Sequence, residues 1–198
     1  MRQRAPLTEV LAAAARVLSG RGQRWYLFGA QAVVVWGRPR LTSDVDITME
    51  LEPEAAAGFC ADMERAGFQL RVSNRDDFLA RARVLPFLHS PTEFPLDIVL
   101  AGPGLEEQFL DRAATIDMDG VAVQVIAPED LIITKILAGR PKDLEDVHSV
   151  LELRGGSLDL EYMQATLRLL EEAPAQSDLL RTLEAALART TWRSASAP

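Results

Sequence analysis

The sequence predicts an α/β (α+β) protein with a short mixed β-sheet flanked by helices, followed by a helical C-terminal part. Three observations support this class. Residues 24–50 follow a strand–turn–helix–strand pattern, short strand-like apolar runs continue to about residue 126, and helical spacing dominates from residue 128 onward. We therefore expect a core at residues 1–127 with its own N-terminal helix, and a helical region at residues 128–198 packed on that core.

The segment of residues 24–50 reads RWYLFGAQAVVVWGRPRLTSDVDITME. Its aromatic-rich run at residues 25–28 predicts a strand, which ends at a turn of small residues, Gly29-Ala30, before a helix over residues 31–36. A Gly-Arg-Pro sequence then ends the helix. Because a small-residue turn at a helix N-terminus lets backbone N–H groups approach an anion, Gly29 and Ala30 are candidate phosphate-binding residues.

The next strand carries two acidic residues. Side chains of a strand alternate between its faces, so Asp44, Asp46 and Thr48 share one face, while the other face is apolar and carries Val45, Ile47 and Met49. Two carboxylates on one edge of a strand repel each other unless solvent, a base or a metal ion balances the charge. A hard cation such as Mg²⁺ fits, because it prefers carboxylate oxygens.

The other elements follow from apolar spacing and turn residues. An N-terminal helix is predicted at residues 8–19, with Thr8 as its N-cap. Further strands are predicted at residues 68–73, 84–90 and 94–100, a hairpin turning at Asp119-Gly120 in residues 114–126, and helices at residues 53–66, 76–83, 128–139, 143–154, 159–172 and 178–189. The small, polar tail at residues 190–198 is predicted to be frayed.

Asp97 is a third acidic candidate. It lies within the run PLDIVL, which is otherwise apolar, and an ionised carboxylate there is costly unless it is paired or bound to a metal. The alternative is a structural Asp97 satisfied by backbone groups or an arginine. Cys60 is predicted to be a buried, inert thiol and His89 a partly buried structural residue. Two histidines with one cysteine exclude a zinc site of ordinary ligand spacing.

Composition narrows the class of protein. The 198 residues carry 21 basic and 29 acidic side chains, so the net charge of −8 argues against a protein that coats nucleic acid through bulk charge, although a local basic patch could hold an RNA end. The single cysteine allows no intramolecular disulfide. No apolar run reaches membrane-spanning length and the N-terminus lacks a secretory pattern, so we expect a cytoplasmic protein with no membrane partner.

The order of motifs in residues 24–50 resembles the nucleotidyltransferase superfamily typified by DNA polymerase β. That pattern is a strand ending in two small residues, a helix, a turn with Arg-x-Thr, and Asp-x-Asp on a strand. Here Gly29-Ala30 is followed after thirteen residues by Asp44-Val45-Asp46. The family has Gly-Gly or Gly-Ser where this chain has Gly29-Ala30. Ala30 still permits close packing, but it lacks the hydroxyl with which a serine could bind a phosphate.

The resemblance implies a nucleotidyltransferase fold and a metal-dependent site. Two Mg²⁺ ions about 4 Å apart, or Mn²⁺ in their place, would be held by Asp44, Asp46 and Asp97 and would clamp the attacking oxygen and the triphosphate. Asp97 matches the third acidic residue of the superfamily and is the candidate to take the acceptor proton. The residues implied to position the nucleoside triphosphate are Gly29, Ala30, Arg40, Thr42 and Lys135.

A second resemblance lies in residues 128–151, which read PEDLIITKILAGRPKDLEDVHSVL. The segment is similar to the Glu-Asp-Leu, Lys, Arg-x-Lys-Asp, Asp-Val/Ile signature of AbiEii-like nucleotidyltransferases, whose members include toxins of type IV toxin–antitoxin systems. By position, Lys135 matches the lysine that reaches the nucleotide phosphates, and Asp146 matches the following acidic residue of that nucleotide site. The alternative is a surface lysine paired with Asp143 or Asp146.

These patterns predict an enzyme that moves a nucleoside monophosphate from an NTP to an acceptor hydroxyl and releases pyrophosphate. The leading setting is an AbiEii-like toxin acting on RNA, such as tRNA, or on protein, with a possible cognate antitoxin. Two alternatives stay open: a nucleotide-binding or antitoxin-binding module with weak catalysis, and an aminoglycoside-type small-molecule nucleotidyltransferase, which the negative charge permits.

Overall fold

The computed structural model of the protein describes residues 5–173 and 177–190. Residues 191–198, most of the tail predicted to be frayed, lie outside the described residues. The chain divides into two compact units, here called the sheet unit, Met1–Gln31 with Leu41–Ile126, and the helical unit, Ala32–Arg40 with Ala127–Pro198. Across the described residues, no helix combines the length and apolar character that crossing a membrane requires.

The sheet unit contains one mixed sheet, and its seven strands within the described residues are ordered β3-β4-β5-β2-β1-β7-β6. β2 runs parallel to β5 and β1 parallel to β7, whereas the other neighbouring strands are antiparallel. The strands are β1 Trp25–Phe28, β2 Val45–Met49, β3 Phe68–Leu70, β4 Val84–His89, β5 Phe94–Leu100, β6 Ala114–Asp117 and β7 Ala122–Val125. The predicted fold class, a mixed sheet with flanking helices, is confirmed.

The helices agree with the predicted ones to within a few residues at most ends. They are α1 Pro6–Gly20, α2 Gly29–Trp36, α3 Ala56–Arg65, α4 Arg75–Ala82, α5 Leu105–Arg112, α6 Pro128–Ala138, α7 Pro141–Arg154, α8 Leu160–Glu171 and α9 Leu179–Ala188. The predicted helices do not include α5, although acidic residues in its first turn are a usual N-terminal signal. It also set β3 too long, because only three residues pair with β4.

The predicted N-cap of α1 is wrong. The helix begins at Pro6 with Ala5 as its N-cap, which suits proline because the first helical N–H has no partner in the helix. Thr8 is buried one turn further on, and its hydroxyl donates to Asp119 Oδ2 at 3.1 Å. Asp119 lies in the hairpin turn between β6 and β7, as predicted, with Gly120 beside it at φ 79°.

The two faces of the sheet differ in character near its middle. On one face Phe87 pairs with Leu96, and Phe59 of α3 makes an edge contact with the Phe87 ring. Successive residues of β5 point to opposite faces, so Asp97, which follows Leu96, points to the other face. The apolar face therefore fixes the register of β4 and β5, and that register determines what lies beside Asp97 on the other face.

The helical unit is built from α6 to α9, whose buried apolar residues follow helical spacing. Gly139 ends α6 in the left-handed conformation at φ 62°. Asp159 caps α8 by accepting a hydrogen bond from the Tyr162 N–H at 2.9 Å. Residues 32–40 of this unit comprise most of α2 and the segment that follows it, so one short stretch from early in the chain groups with the C-terminal helices.

Candidate active site

The centre of the candidate site is a pair of carboxylates on neighbouring parallel strands. Asp46 of β2 is in direct register with Asp97 of β5. Residues directly opposite on adjacent strands project from the same face, so the sheet brings together two acids that are 51 positions apart in the sequence. Asp44 precedes β2 by one residue and shares the alternation of Asp46. We call Asp44, Asp46 and Asp97 the acid cluster.

Solvent exposure in the acid cluster is greatest at the beginning of β2. Thr48, which the alternation assigned to the same face, is buried, whereas Asp44 is exposed and Asp46 and Asp97 are half-buried. The sequence PLDIVL suggested that apolar side chains enclose Asp97. They do not, because its apolar neighbours in the sequence point to the other face of the sheet.

Gly29 lies against the acid cluster. β1 pairs with β2 so that Phe28 is opposite Asp46, and Gly29 follows directly with φ 65°. A Cβ on Gly29 would come within 2.2 Å of Asp46 Oδ2, so a larger residue would displace the carboxylate. The helix α2 begins at Gly29 itself, so Gly29 and Ala30 are the first helical residues instead of a separate turn, and Ala30 is buried.

Asp44 is held by the segment before β2. The Thr42 hydroxyl donates to Asp44 Oδ1 at 2.6 Å, and the Gln31 amide donates to the Asp44 carbonyl at 3.4 Å. Thr42 was predicted to contact the triphosphate, and in the structure its hydroxyl orients an acid of the cluster. The phosphate contact of Thr42 stays a prediction.

Asp97 is paired with Arg71, a residue that the sequence analysis did not single out. Arg71 Nη2 donates to Asp97 Oδ1 at 2.6 Å, and both side chains are partly exposed. The arginine partner that we considered as the alternative for Asp97 is therefore present. No local signal predicts this pair, because Arg71 reaches Asp97 only through the order of β3, β4 and β5 in the sheet.

The acid cluster fits a hard divalent cation by chemistry and by backbone position, but its side chains do not converge. Its ligand atoms are all carboxylate oxygens, the donors that Mg²⁺ prefers, and the register of Asp46 with Asp97 aligns two of them. Over the part of the chain that the structure describes, no three His, Cys, Asp or Glu side chains form a group that could hold a metal ion. The contacts of Asp44 with Thr42 and of Asp97 with Arg71 direct these acids elsewhere.

The other predicted site residues form a second charged group within the helical unit. Lys135 Nζ donates to Asp143 Oδ1 at 3.0 Å and to Asp146 Oδ2 at 2.7 Å. Arg40 makes a two-pronged contact with Asp146 through Nε at 2.9 Å and Nη2 at 3.1 Å, and Arg140 donates to Asp143 Oδ2 at 2.5 Å. We call these five residues the helical ion cluster.

Burial separates Lys135 from an ordinary surface lysine. Lys135, Asp143 and Asp146 are all buried, so the pairing that we considered as the alternative is present but does not lie at the surface. Burial alone would raise the pKa of Asp143, but hydrogen bonds from Arg140 and Lys135 outweigh it and keep that pKa below its ordinary value. The phosphate contacts predicted for Arg40, Lys135 and Asp146 stay predictions.

Two residues predicted to be structural are confirmed as buried. Cys60 is a free, buried cysteine on α3, and burial raises the pKa of its thiol, which makes it a poor nucleophile. His89 is buried, its Nδ1 lies 2.8 Å from the Thr92 hydroxyl, and its ring contacts Phe68. Burial lowers the pKa of His89, so its neutral form is favoured.

The mixed sheet, with two register-paired acids beside a glycine at the start of a helix, has the features of a nucleotidyltransferase. The chain belongs to the family described as "Nucleotidyltransferase of unknown function (DUF6036)", whose model matches residues 6–180. No match was found among curated proteins.

Solved structures with the same fold include enzymes that modify antibiotics. An antigenic nucleotidyltransferase-like protein from Paracoccidioides brasiliensis has a TM-score of 0.58 and 16% identity, with 93% of each chain covered. ANT(2″)-Ia in complex with adenylyl-2″-tobramycin has a TM-score of 0.56 and 15% identity over 84% of this chain and 97% of that chain. The lincosamide adenylyltransferase LnuA, lincomycin-bound, has a TM-score of 0.52 and 13% identity over 76% of this chain and 98% of that chain. At these identities the similarity shows the fold.

Proposed function

We propose that this protein transfers a nucleoside monophosphate from an NTP to an acceptor hydroxyl, with release of pyrophosphate. The observation that carries the proposal is the direct register of Asp46 with Asp97, beside a glycine whose replacement would displace Asp46. Placing acids together in this way lowers the stability of the fold, because like charges repel. A catalytic role would explain why the acids lie together despite this repulsion.

The residues of the acid cluster have separate roles in this proposal. Asp44, Asp46 and Asp97 would hold a divalent cation, Mg²⁺ or Mn²⁺, which when bound supplies positive charge that stabilises the triphosphate and the leaving pyrophosphate. Gly29 and the first turn of α2 bind phosphate oxygens through backbone N–H groups. Asp97 accepts the proton of the acceptor hydroxyl. At the same time the acceptor oxygen bonds to the α-phosphorus, and the bond between the α-phosphorus and the oxygen that bridges it to the β-phosphate breaks.

The biological setting that we propose is an AbiEii-like toxin with RNA or protein as acceptor. It rests on the signature in residues 128–151, which includes Lys135 and Asp146, and a cognate antitoxin follows from that same resemblance. An aminoglycoside or another small molecule is the alternative acceptor class, since the fold also occurs in enzymes of that kind.

The test is a transfer assay with each labelled NTP, Mg²⁺, and separate pools of tRNA, protein and aminoglycosides. We expect label to move to one pool, with pyrophosphate released in equal amount. Asp46→Asn should abolish transfer and leave the fold intact or slightly more stable, because it removes a like-charge repulsion. Asp76→Asn is the matched control, since Asp76 is an exposed acid on α4 and should leave transfer unchanged. Wild-type turnover in Asp46→Asn would contradict the proposal.

A second candidate is a nucleotide-binding module without useful turnover. The pairing of Asp97 with Arg71 favours it, because an acid engaged by an arginine is less available to a metal or a proton. This candidate predicts NTP binding by calorimetry together with no transfer to any pool, and detectable transfer that Asp46→Asn removes would exclude it.

A further inference from the structure

Arg71 and the acid cluster lie on one line across the sheet. Leu70, the last residue of β3, pairs with Phe87, and the N–H of Arg71, directly after β3, donates to the Pro86 carbonyl at 2.8 Å. Pro86 is in register with Asp97, and Asp97 is in register with Asp46. Because directly opposite residues project from the same face, Arg71, Pro86, Asp97 and Asp46 form one transverse row.

The row places Arg71 and Asp46 on opposite sides of Asp97. In the sheet, β4 and β2 are the two neighbours of β5, and Arg71 reaches Asp97 from beyond β4. Pro86 occupies the intervening position on β4, and Arg71 Nη2 contacts Asp97 Oδ1 from beyond it. Arg71 therefore engages the Asp97 carboxylate from the side of the sheet opposite Asp46, although the backbone register brings the two acids to neighbouring positions.

The pair is accessible enough to exchange its partner. The side chains of Arg71 and Asp97 are 42% and 36% exposed, and ion pairs with this much solvent contact are weak and easily broken. A divalent cation carries twice the charge of a guanidinium and binds carboxylate oxygens directly, so it competes well for the same acid.

From this geometry we propose that Arg71 is a positioning residue that holds Asp97 away from Asp46 until a divalent cation replaces it as the partner of Asp97. The inference rests on the proposed function, because it takes the acid cluster as the place where the cation binds. Arg71 thus balances the charge of the acids and sets the cation affinity of the cluster.

The test measures Mn²⁺ binding to the full chain without nucleotide, by the electron paramagnetic resonance signal of free Mn²⁺. Arg71→Gln removes the competing cation, so we expect Mn²⁺ to bind about two- to fivefold more tightly than to the wild type. Arg81→Gln is the matched control, because Arg81 forms an exposed ion pair with Asp77 on α4 and should leave the affinity unchanged.

A double-variant comparison shows whether the effect passes through Asp97. In an Asp97→Asn background, Arg71→Gln should change Mn²⁺ affinity much less than in the wild type, because the contact that it removes is already lost. A structural role for Arg71 would instead lower the affinity or leave it unchanged in both backgrounds.

A third measurement uses only the wild-type protein, so it does not depend on whether the variants fold. Mg²⁺ titration of ¹⁵N-labelled protein should shift the Arg71 side-chain Nε–H resonance and leave that of Arg81 in place. If the Arg71 resonance does not move while Mg²⁺ binds, or if Arg71→Gln does not tighten Mn²⁺ binding, the inference is wrong and the proposed function stands. If neither the wild type nor the variants bind Mn²⁺, and Asp46→Asn leaves the transfer rate unchanged, both the inference and the proposed function are wrong.

Discussion

Two groups of charged residues in this protein look alike in sequence and differ in structure. The acid cluster of Asp44, Asp46 and Asp97 begins at the exposed start of β2, and Arg71, directly after β3, engages one of its acids across β4. The helical ion cluster is centred on Lys135, Asp143 and Asp146, which are buried and joined by direct ion pairs.

The two groups differ in how easily their charged residues can exchange partners. Buried ion pairs are costly to break, because a charge left without its partner is not solvated. The helical ion cluster is therefore suited to holding helices in place. Partly exposed acids can change partners at little cost, which suits a site that binds and releases a ligand. Substitutions in the two groups should therefore have different consequences.

The largest effect should come from Asp97→Asn. If Asp97 accepts the proton of the acceptor, this variant should lower the transfer rate about 100-fold or more, while NTP affinity changes little because phosphate contacts elsewhere survive. Transfer kinetics and calorimetric titration with NTP measure the two quantities. A loss of NTP affinity equal to the loss of rate would indicate a collapsed site and not a catalytic role.

Lys135→Met should mainly lower stability. It removes the buried cation shared by Asp143 and Asp146, so we expect the free energy of unfolding to fall by about 3 kcal/mol. Lys142→Met, at an exposed position on α7, is the control and should change it little. Urea unfolding measures both.

The same variant tests the phosphate contact that the sequence predicts for Lys135. If Lys135 binds the triphosphate, Lys135→Met should also raise the KM for NTP under conditions where the variant is folded. A raised KM with unchanged stability would contradict the structural role and erase the contrast between the two groups.

Gly29→Ala should affect both stability and activity. The positive φ alone should cost about 1 kcal/mol of stability, and displacement of Asp46 should lower the transfer rate by about 10- to 100-fold. Gly22→Ala is the control, because Gly22 has nearly the same φ, 66°, but no atom within 4 Å of the added Cβ. Equal effects of the two variants on the rate would show that the contact with Asp46 is unimportant.

The smallest effect should be the acid sensitivity of the helical ion cluster. The pKa of Asp143 lies below its ordinary value, so the stability that it contributes is present above the unfolded pKa of about 3.9 and is lost as pH falls through the folded pKa. As the pH falls from 5 to 3, the wild type should lose more stability than Asp143→Asn, measured by urea unfolding at each pH. Glu145→Gln, at an exposed site on α7, should behave as the wild type does.

Most of the local structure can be predicted from the sequence. The apolar run at β1, the alternation along β2 and β5, and the Asp119-Gly120 turn are each written in a few adjacent residues, because strand periodicity and turn conformations are local properties. Helical spacing located α6 to α9 in the same way. The sequence also singled out the acids of the candidate site, since carboxylates within an otherwise apolar strand pattern stand out.

Only the tertiary structure decided which charges meet. The register of Asp46 with Asp97, the reach of Arg71 across β4, and the burial of Lys135 depend on strand order and helix packing between segments far apart in the chain. Local periodicity carries no information about such contacts, because hydrogen-bonded register and helix packing are fixed by the apolar surfaces that the whole chain buries together.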